Sequence, residues 1–432
     1  MTASSTPGPR WLRPWLDDEP HRLAFAAGAL VLAAAAAWWC ARVLGWASGG
    51  ALPAVESHAI LMTFGFMPLF FGGFLAGTGA RWLGQPAIPA RELAPAVLLQ
   101  LAGWLVFVTA TALDAAGPAA AAGSSALFAV AAGQAMAWRR FAARVAASSR
   151  PDRAHASVIA LAGGIGLLAL LVTAAALATG DVPLARAAVR AALWIHVGCT
   201  FAAAAHRMIP FLGGSAWPAF DARRPRWLLE ALAAVFVLEG AADAVDLLRG
   251  AAPMPLQLAR TAIEALAGAG LLGLALRWGF VQDLRIRLLA MLRLAVAWLA
   301  VSLLLAALSH GLELAGRSGL GTAPLHAYAM GFLGSMMLAM VARFIAGHAG
   351  RTVAADTPLG RLFALLQAAV AARVAGGVLD ALGIARAHTL IALAAAAWAL
   401  VCVLWAARYL PLLAGPRLQR RRTSTGDAPS AR

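Results

Sequence analysis

The sequence predicts an all-α membrane protein with about twelve transmembrane helices, and three observations lead to that prediction. Of the 432 residues, 62% are apolar and only 12% are charged, and the mean hydropathy is +0.77. Such values are too apolar for a soluble globular protein. The apolar residues fall into twelve runs of about 20 residues, the length that crosses a bilayer as a helix. The 35 basic residues, all of them arginine, cluster between these runs.

Short segments that contain Pro, Gly or Arg separate the runs. We expect residues 1–23 to form a cytoplasmic N-terminal segment, 24–411 the twelve-span membrane domain, and 412–432 a basic, disordered C-terminal tail. No small-residue cleavage site precedes the first run, so we expect that span to remain in the mature protein. The predicted spans are 24–45, 57–79, 94–113, 119–137, 157–179, 187–212, 227–248, 259–276, 290–311, 322–342, 361–382 and 388–410.

The arginines predict the orientation, because positively charged residues are retained on the cytoplasmic side. Connections after even-numbered spans hold clusters of arginine, whereas those after odd-numbered spans hold isolated ones such as Arg186, Arg249 and Arg317. We therefore expect both termini in the cytoplasm. Arginines distributed in this way determine topology, and they do not form a nucleic-acid-binding face.

The candidate functional residues are histidines inside the spans, because ionisable side chains in a membrane are rare and usually functional. In the expected orientation, His58 of span 2 and His326 of span 10 lie at equal depth near the outer face. Each begins the pattern H-A-x-x-M-x-F, which places Met62 and Met330 one helical turn further on. Two such histidines can supply both axial ligands of one haem. We predict a haem between spans 2 and 10; the alternative is that each imidazole only hydrogen-bonds a neighbouring helix.

Five other histidines have separate expectations. His196 in span 6 and His310 near the end of span 9 are candidate metal ligands, although either could serve only in hydrogen bonding. His21, His155 and His388 stand at span ends or in loops, and we expect them to be interfacial and solvated.

Other chemistry has little support in the sequence. The methionine-rich stretch 330–340 could bind copper through thioethers, but a row of methionines in a packed helix usually fills gaps. Cys40, Cys199 and Cys402 lie inside apolar runs, so neither a disulfide framework nor a cysteine zinc site is expected. There is no C-x-x-C-H motif, so a haem would be bound without a covalent link. No phosphate-binding loop, dinucleotide fingerprint or nucleophile elbow occurs.

Five stretches, in order from one end of the chain to the other, carry a resemblance to a known family. On these stretches the whole chain resembles the NnrS family of bacterial haem- and copper-containing membrane proteins linked to nitric oxide. The resemblance implies a bacterial inner-membrane protein that binds haem, with copper as a further candidate cofactor and nitric oxide as a candidate ligand, in denitrification or nitrosative stress. The stretches are PHRLAFAAGAL (20–30), HAILMTFGFMPLFFGGFLAGTGARWLGQP (58–86), HRMIPF (206–211), LHAYAMGFLGSMMLAMVARFIAGHAGR (325–351) and RYLPLLAGPR (408–417).

Span 2 departs from the family pattern and also resembles a second family. The NnrS pattern reads H-A-H-E-M, whereas this chain has Ile60 and Leu61 in place of the second His and the Glu. Span 2 is similar to the second helix of haem-copper oxidases, whose matching histidine and one on helix ten hold a low-spin haem. That likeness implies a haem-copper-oxidase-like bundle. However, Pro324 and Thr200 stand where those oxidases carry a histidine and a tyrosine, so an oxygen reductase is not expected.

The function expected from these arguments is a haem-binding membrane protein of the NnrS type, and whether it is a redox enzyme stays open. Two other classes remain. One is a secondary transporter of a small solute, which twelve spans would suit. The other is a non-catalytic assembly factor for denitrification enzymes. A transporter would purify without colour, which separates it from a haem protein.

Overall fold

The computed structural model describes residues 15, 19–47, 50, 52–112, 116–213, 226–281, 287–350 and 356–415. Within this part of the chain, every long regular element is a helix. Most of the expected N-terminal segment and the end of the basic tail, 416–432, lie outside the described residues. The helices are α1 His21–Val43, α2 Ala54–Trp82, α3 Ala90–Ala112, α4 Ala116–Ala147, α5 Ala154–Thr179, α6 182–213, α7 Arg226–Arg249, α8 Met254–Val281, α9 Arg287–Leu314, α10 Ala323–His348, α11 Thr357–Ala381 and α12 Ala387–Ala414.

Each predicted span corresponds to one of these helices, so the all-α prediction is confirmed. Eleven of them are long and apolar enough to cross a membrane. The remaining helix, α7, has 24 residues but carries Glu239, Asp243 and Asp246, which make it less apolar. These carboxylates do not face lipid unpaired, because all three bind Arg260 of α8 at 2.6 to 2.9 Å. Pairing of this kind allows charged side chains to lie within a membrane bundle.

One end of the bundle holds the start of the first helix and the end of the last. The Arg22 guanidinium of α1 donates hydrogen bonds to the backbone carbonyls of Leu413 and Gly415, at 3.2 and 2.8 Å. The end of α10 lies at the same place, since the His348 ring is 4.5 Å from the His21 ring. We call this the terminal end of the bundle and the opposite one the distal end.

Three helices contain π-helical turns, where the sequence predicts ordinary α-helix. They are Leu61–Gly65 and Leu75–Gly79 in α2, Ala192–Gly198 in α6, and Ala327–Gly334 in α10. In the first case there is a local cause, because Pro68 has no N–H to donate to the carbonyl four residues earlier. π turns are rare and often lie at functional sites. Here they follow His58, contain His196, and follow His326.

The π turns of α6 and α10 pack directly against each other. The Tyr328 hydroxyl donates to the Leu193 carbonyl at 3.2 Å, and the Tyr328 ring stacks on Trp194 with centroids 3.8 Å apart. Gly198 is required for this approach, since a Cβ atom there would lie 2.3 Å from the Tyr328 hydroxyl. The contact fixes α6 against α10 two residues after His326.

Candidate functional site

His58 and His326, the pair predicted from the sequence, lie near each other at the distal end. We call them the distal pair. They are close enough to interact electrostatically. His58 stacks on Trp39 of α1, with ring centroids 4.0 Å apart and an angle of 19° between the planes. Its Nδ1 atom is buried and has no hydrogen-bond partner among the protein atoms, which is costly inside a membrane bundle.

His326 is held in one tautomer by its own helix. Its Nδ1 atom lies 2.9 Å from the Thr322 carbonyl oxygen. A carbonyl only accepts hydrogen bonds, so Nδ1 carries the proton and Nε2 keeps a free lone pair. Histidines that bind metals are commonly oriented in this way by a hydrogen bond from the other ring nitrogen.

An arginine of α11 accompanies the distal pair. Arg373 donates from Nη2 to the Thr322 hydroxyl at 3.0 Å, while its Nη1 atom is buried and has no hydrogen-bond partner. Arg373 is within electrostatic reach of both histidines, and Arg190 is within reach of His326. The site therefore favours an anionic group, which would satisfy the guanidinium.

These residues fit a haem. The two imidazoles offer the neutral nitrogen ligands that haem iron takes, and Arg373 has an unpartnered N–H group suited to a haem carboxylate. Met62 and Met330 are half-buried within the π turns that follow the histidines. The ligand chemistry of the two imidazoles and the charge of Arg373 are compatible with a haem, and the haem itself stays a prediction.

His196, a candidate metal ligand, lies in a separate place. Its ring is buried, and neither nitrogen makes a hydrogen bond of normal geometry, although the Ala162 carbonyl is nearby. Gly166 of α5 makes room for the imidazole, because a Cβ atom there would lie 2.3 Å from the His196 ring. Phe71 of α2 meets the ring edge-on at 5.8 Å between centroids.

His196 also lines a cavity between α2, α3, α4, α5 and α6, together with Gln100, Gln134 and Thr200. All four side chains are at least nine-tenths buried, and each has at least one polar atom without a partner. The orientation of Gln100 is fixed, since its amide nitrogen donates to the Ala96 carbonyl at 3.1 Å. Buried polar atoms in such numbers require water or a small hydrogen-bonding ligand.

His310, the other candidate metal ligand, belongs to a network of charges between α7, α8 and α9. Its Nδ1 atom is 2.9 Å from the Glu264 carboxylate, and Arg260 lies 3.2 Å from the same carboxylate. This carboxylate network explains how Glu264 and the acidic side chains of α7 can lie within the bundle. It gives His310 a structural partner, and the metal role stays a prediction.

Two expectations about exposed histidines are wrong. His155 is buried, with its Nε2 atom 2.9 Å from Nδ1 of His206. His21 is also buried, because the start of α1 is covered by the end of α10. Both residues stand at polar helix ends in the sequence, which does not indicate which neighbouring helix covers them. His388 is exposed, as expected.

Glu19, His21 and His348 form a group that sequence reasoning missed. Their ligand atoms all lie within 4.8 Å of one another, and among the described residues this is the group of three or more such side chains that could hold a metal ion. We call it the terminal triad. Their positions in the sequence could have indicated it, since His21 stands just before span 1 and His348 follows span 10, which puts both at the same membrane face.

Comparison with known proteins agrees with the resemblance. The family model described as NnrS protein matches residues 16–417, a range that includes all twelve helices. No curated protein and no solved structure matches the chain. Because the match covers nearly the whole sequence, the chain belongs to the NnrS family.

Proposed function

We propose that this protein binds haem through His58 and His326 in a bacterial inner membrane and acts in the response to nitric oxide. The observation that carries the proposal is the distal pair itself, in which two histidines from α2 and α10 lie beside an arginine with an unpartnered donor. Family membership supports the link to nitric oxide. When bound, the haem would supply one-electron chemistry.

The side chains around the pair have definable roles in this proposal. Thr322 fixes the tautomer of His326 through its carbonyl and positions Arg373 through its hydroxyl. Arg373 would neutralise a haem carboxylate. Trp39 covers one face of His58, which limits its rotation and its contact with water. Met62 and Met330 would contact the haem from the turns that follow the two histidines.

Copper remains a candidate second cofactor, with His196 and His310 as proposed ligands. A haem with two histidine ligands has no open position for a diatomic molecule. Direct reaction with nitric oxide would therefore require one ligand to leave or a second metal. His196 suits this role better than His310, because both of its ring nitrogens are unpartnered while His310 is bound to Glu264.

The orientation and the domain limits are part of the proposal. The arginine distribution supports cytoplasmic termini, with 1–23 before the membrane domain 24–411 and 412–432 after it. The distal pair would then lie toward the periplasm and the terminal triad toward the cytoplasm. Pro324 and Thr200 stand where an oxygen-reducing centre needs a histidine and a tyrosine, so we expect no rapid reduction of oxygen.

The functional test is a nitric oxide challenge of the host bacterium. Deletion of the protein should increase sensitivity to a nitric oxide donor, and the wild-type chain should restore resistance. A chain with both His58→Ala and His326→Ala should fail to restore it, whereas the control His388→Ala should succeed.

Unchanged sensitivity after deletion would contradict the role in the nitric oxide response. Rapid oxygen consumption by the purified protein with an artificial reductant would contradict the rest of the assignment. A purified protein without colour would favour a transporter or an assembly factor instead.

A further inference from the structure

The terminal triad brings together two imidazoles, from α1 and α10, and a carboxylate from the residues just before α1. Glu19 precedes α1, His21 begins α1, and His348 ends α10. The His21 side chain is 5% exposed and that of Glu19 is 17% exposed. These three side chains are partly shielded from solvent, are brought together by the start of α1 and the end of α10, and are of the types that bind zinc in proteins.

The distances are close to those of a coordination sphere. The Glu19 carboxylate is 3.5 Å from Nε2 of His21. Two ligands that bind one ion tetrahedrally at about 2.0–2.1 Å are about 3.4 Å apart. All three ligand atoms lie within 4.8 Å of one another, so small side-chain rotations would bring them to one ion without movement of the helices.

The surroundings orient the two histidines. Nδ1 of His348 is 2.9 Å from the Phe344 carbonyl, so this nitrogen carries the proton and Nε2 has the free lone pair. The His348 ring also stacks on Phe344 with centroids 4.2 Å apart, and Phe344 meets His21 edge-on at 4.9 Å. A backbone hydrogen bond and an aromatic wall of this kind hold metal-binding histidines in position.

We infer that the terminal triad binds one divalent transition-metal ion. Two imidazole nitrogens and one carboxylate oxygen suit zinc and the other late first-row ions, whereas magnesium and calcium prefer oxygen ligands and Cu(I) prefers sulfur. Three protein ligands leave at least one coordination position open. This site is separate from the proposed haem site, which lies at the other end of α10.

The alternative to a metal site is an ion pair between two of the same side chains. A protonated His21 would pair with Glu19, and His348 would lie beside them without contacting an ion. The two possibilities differ in stoichiometric metal binding, which can be measured directly. They also differ in the role of His348, which is a ligand in the first and a neighbour in the second.

The experiment uses the full-length protein without a histidine tag, dialysed to equilibrium against buffered Zn²⁺ and then analysed for zinc and protein. Wild type should bind one Zn²⁺ that a chelator removes. Glu19→Gln and His348→Ala should each weaken binding by at least about 10-fold. The control His388→Ala, which alters an exposed histidine, should bind like wild type. His58→Ala should also keep its zinc, which separates this inference from the haem proposal.

A second measurement, the thermal unfolding temperature, tests the inference even if a variant is less stable than wild type. Zn²⁺ should raise the thermal unfolding temperature of wild type, because a ligand that binds only the folded state stabilises it. The increase should be smaller for Glu19→Gln, which preserves the size of the side chain, at the same Zn²⁺ concentration. Absence of stoichiometric zinc in wild type, or equal zinc affinity in wild type, Glu19→Gln and His348→Ala, would overturn the inference.

Discussion

The two ends of α10 each present a histidine, and they differ in the charge that surrounds it. At the distal end, His326 lies near His58 and Arg373. At the terminal end, His348 lies near His21 and Glu19. Both histidines donate from Nδ1 to the carbonyl four residues earlier, at 2.9 Å in each case. The histidines are 22 positions apart, which is about 33 Å along an α-helix.

The comparison shows that a backbone carbonyl orients a histidine at both ends, and we expect the neighbouring charge to select what binds there. An arginine with an unpartnered N–H group favours a cofactor that carries carboxylates. A glutamate favours a bare cation. Equivalent histidines on one helix can therefore serve a haem at one end and a metal ion at the other.

The largest expected effect concerns which compartment each end faces. Reporter fusions at Gly319, beside the distal end, should report a periplasmic location. Fusions at Arg150, in the connection between α4 and α5, should report a cytoplasmic one. The signals should be nearly all-or-none, because each reporter functions on one side only. A reversed result at both positions would place the distal pair on the cytoplasmic side and refute the orientation drawn from the arginines.

The next effect isolates the charge that distinguishes the two ends. Arg373→Gln should lower haem affinity by about 10- to 100-fold, because a hydrogen bond to a charged group contributes about 1.5–3 kcal/mol. Zinc bound at the terminal triad should be unchanged. Haem content per protein is measured by absorbance during titration with haem.

The matched control is Arg386→Gln, which removes an exposed arginine at the distal end and should leave haem affinity as in wild type. If Arg373→Gln retains wild-type affinity, the charge contrast between the two ends is not what selects the haem.

A smaller effect tests whether His196 is independent of both ends. Gly166→Ala would force a Cβ atom to within 2.3 Å of the His196 ring. Overpacking of this kind costs about 1–3 kcal/mol of unfolding free energy. Haem and zinc contents should stay at wild-type levels, since neither site contains this residue.

The control for that variant is Gly273→Ala on α8, where no atom lies within 4 Å of the new Cβ. It should be neutral or slightly stabilising, because alanine favours helix more than glycine does. Equal unfolding free energies for the two variants, measured by chemical denaturation in detergent, would mean that the close contact with His196 is absent.

The sequence predicted the helices well and the surroundings of the site poorly, for a physical reason. Helix length and apolarity are set by the thickness of the bilayer, so each of the twelve spans could be located from composition alone. The pairing of His58 with His326 followed from depth, because two residues near the same face of the membrane lie in one layer.

Other features depend on packing between distant helices. Arg373 lies in a predicted span, and only the contact between α10 and α11 places it beside Thr322. His21 was expected to be solvated, and only the position of α10 buries it. The π turns depend on hydrogen bonds that hydrophobic periodicity does not encode. Such features need the three-dimensional arrangement.

The most direct test of the central claim is the absorption spectrum of the purified full-length protein in its oxidised and reduced states. Wild type should show the bands of a low-spin haem with two histidine ligands. Loss of either coordination bond should be nearly all-or-none, so His58→Ala and His326→Ala should each abolish or convert that spectrum. His388→Ala should leave it unchanged. Full haem occupancy with an unaltered spectrum in both single variants would show that other residues hold the iron.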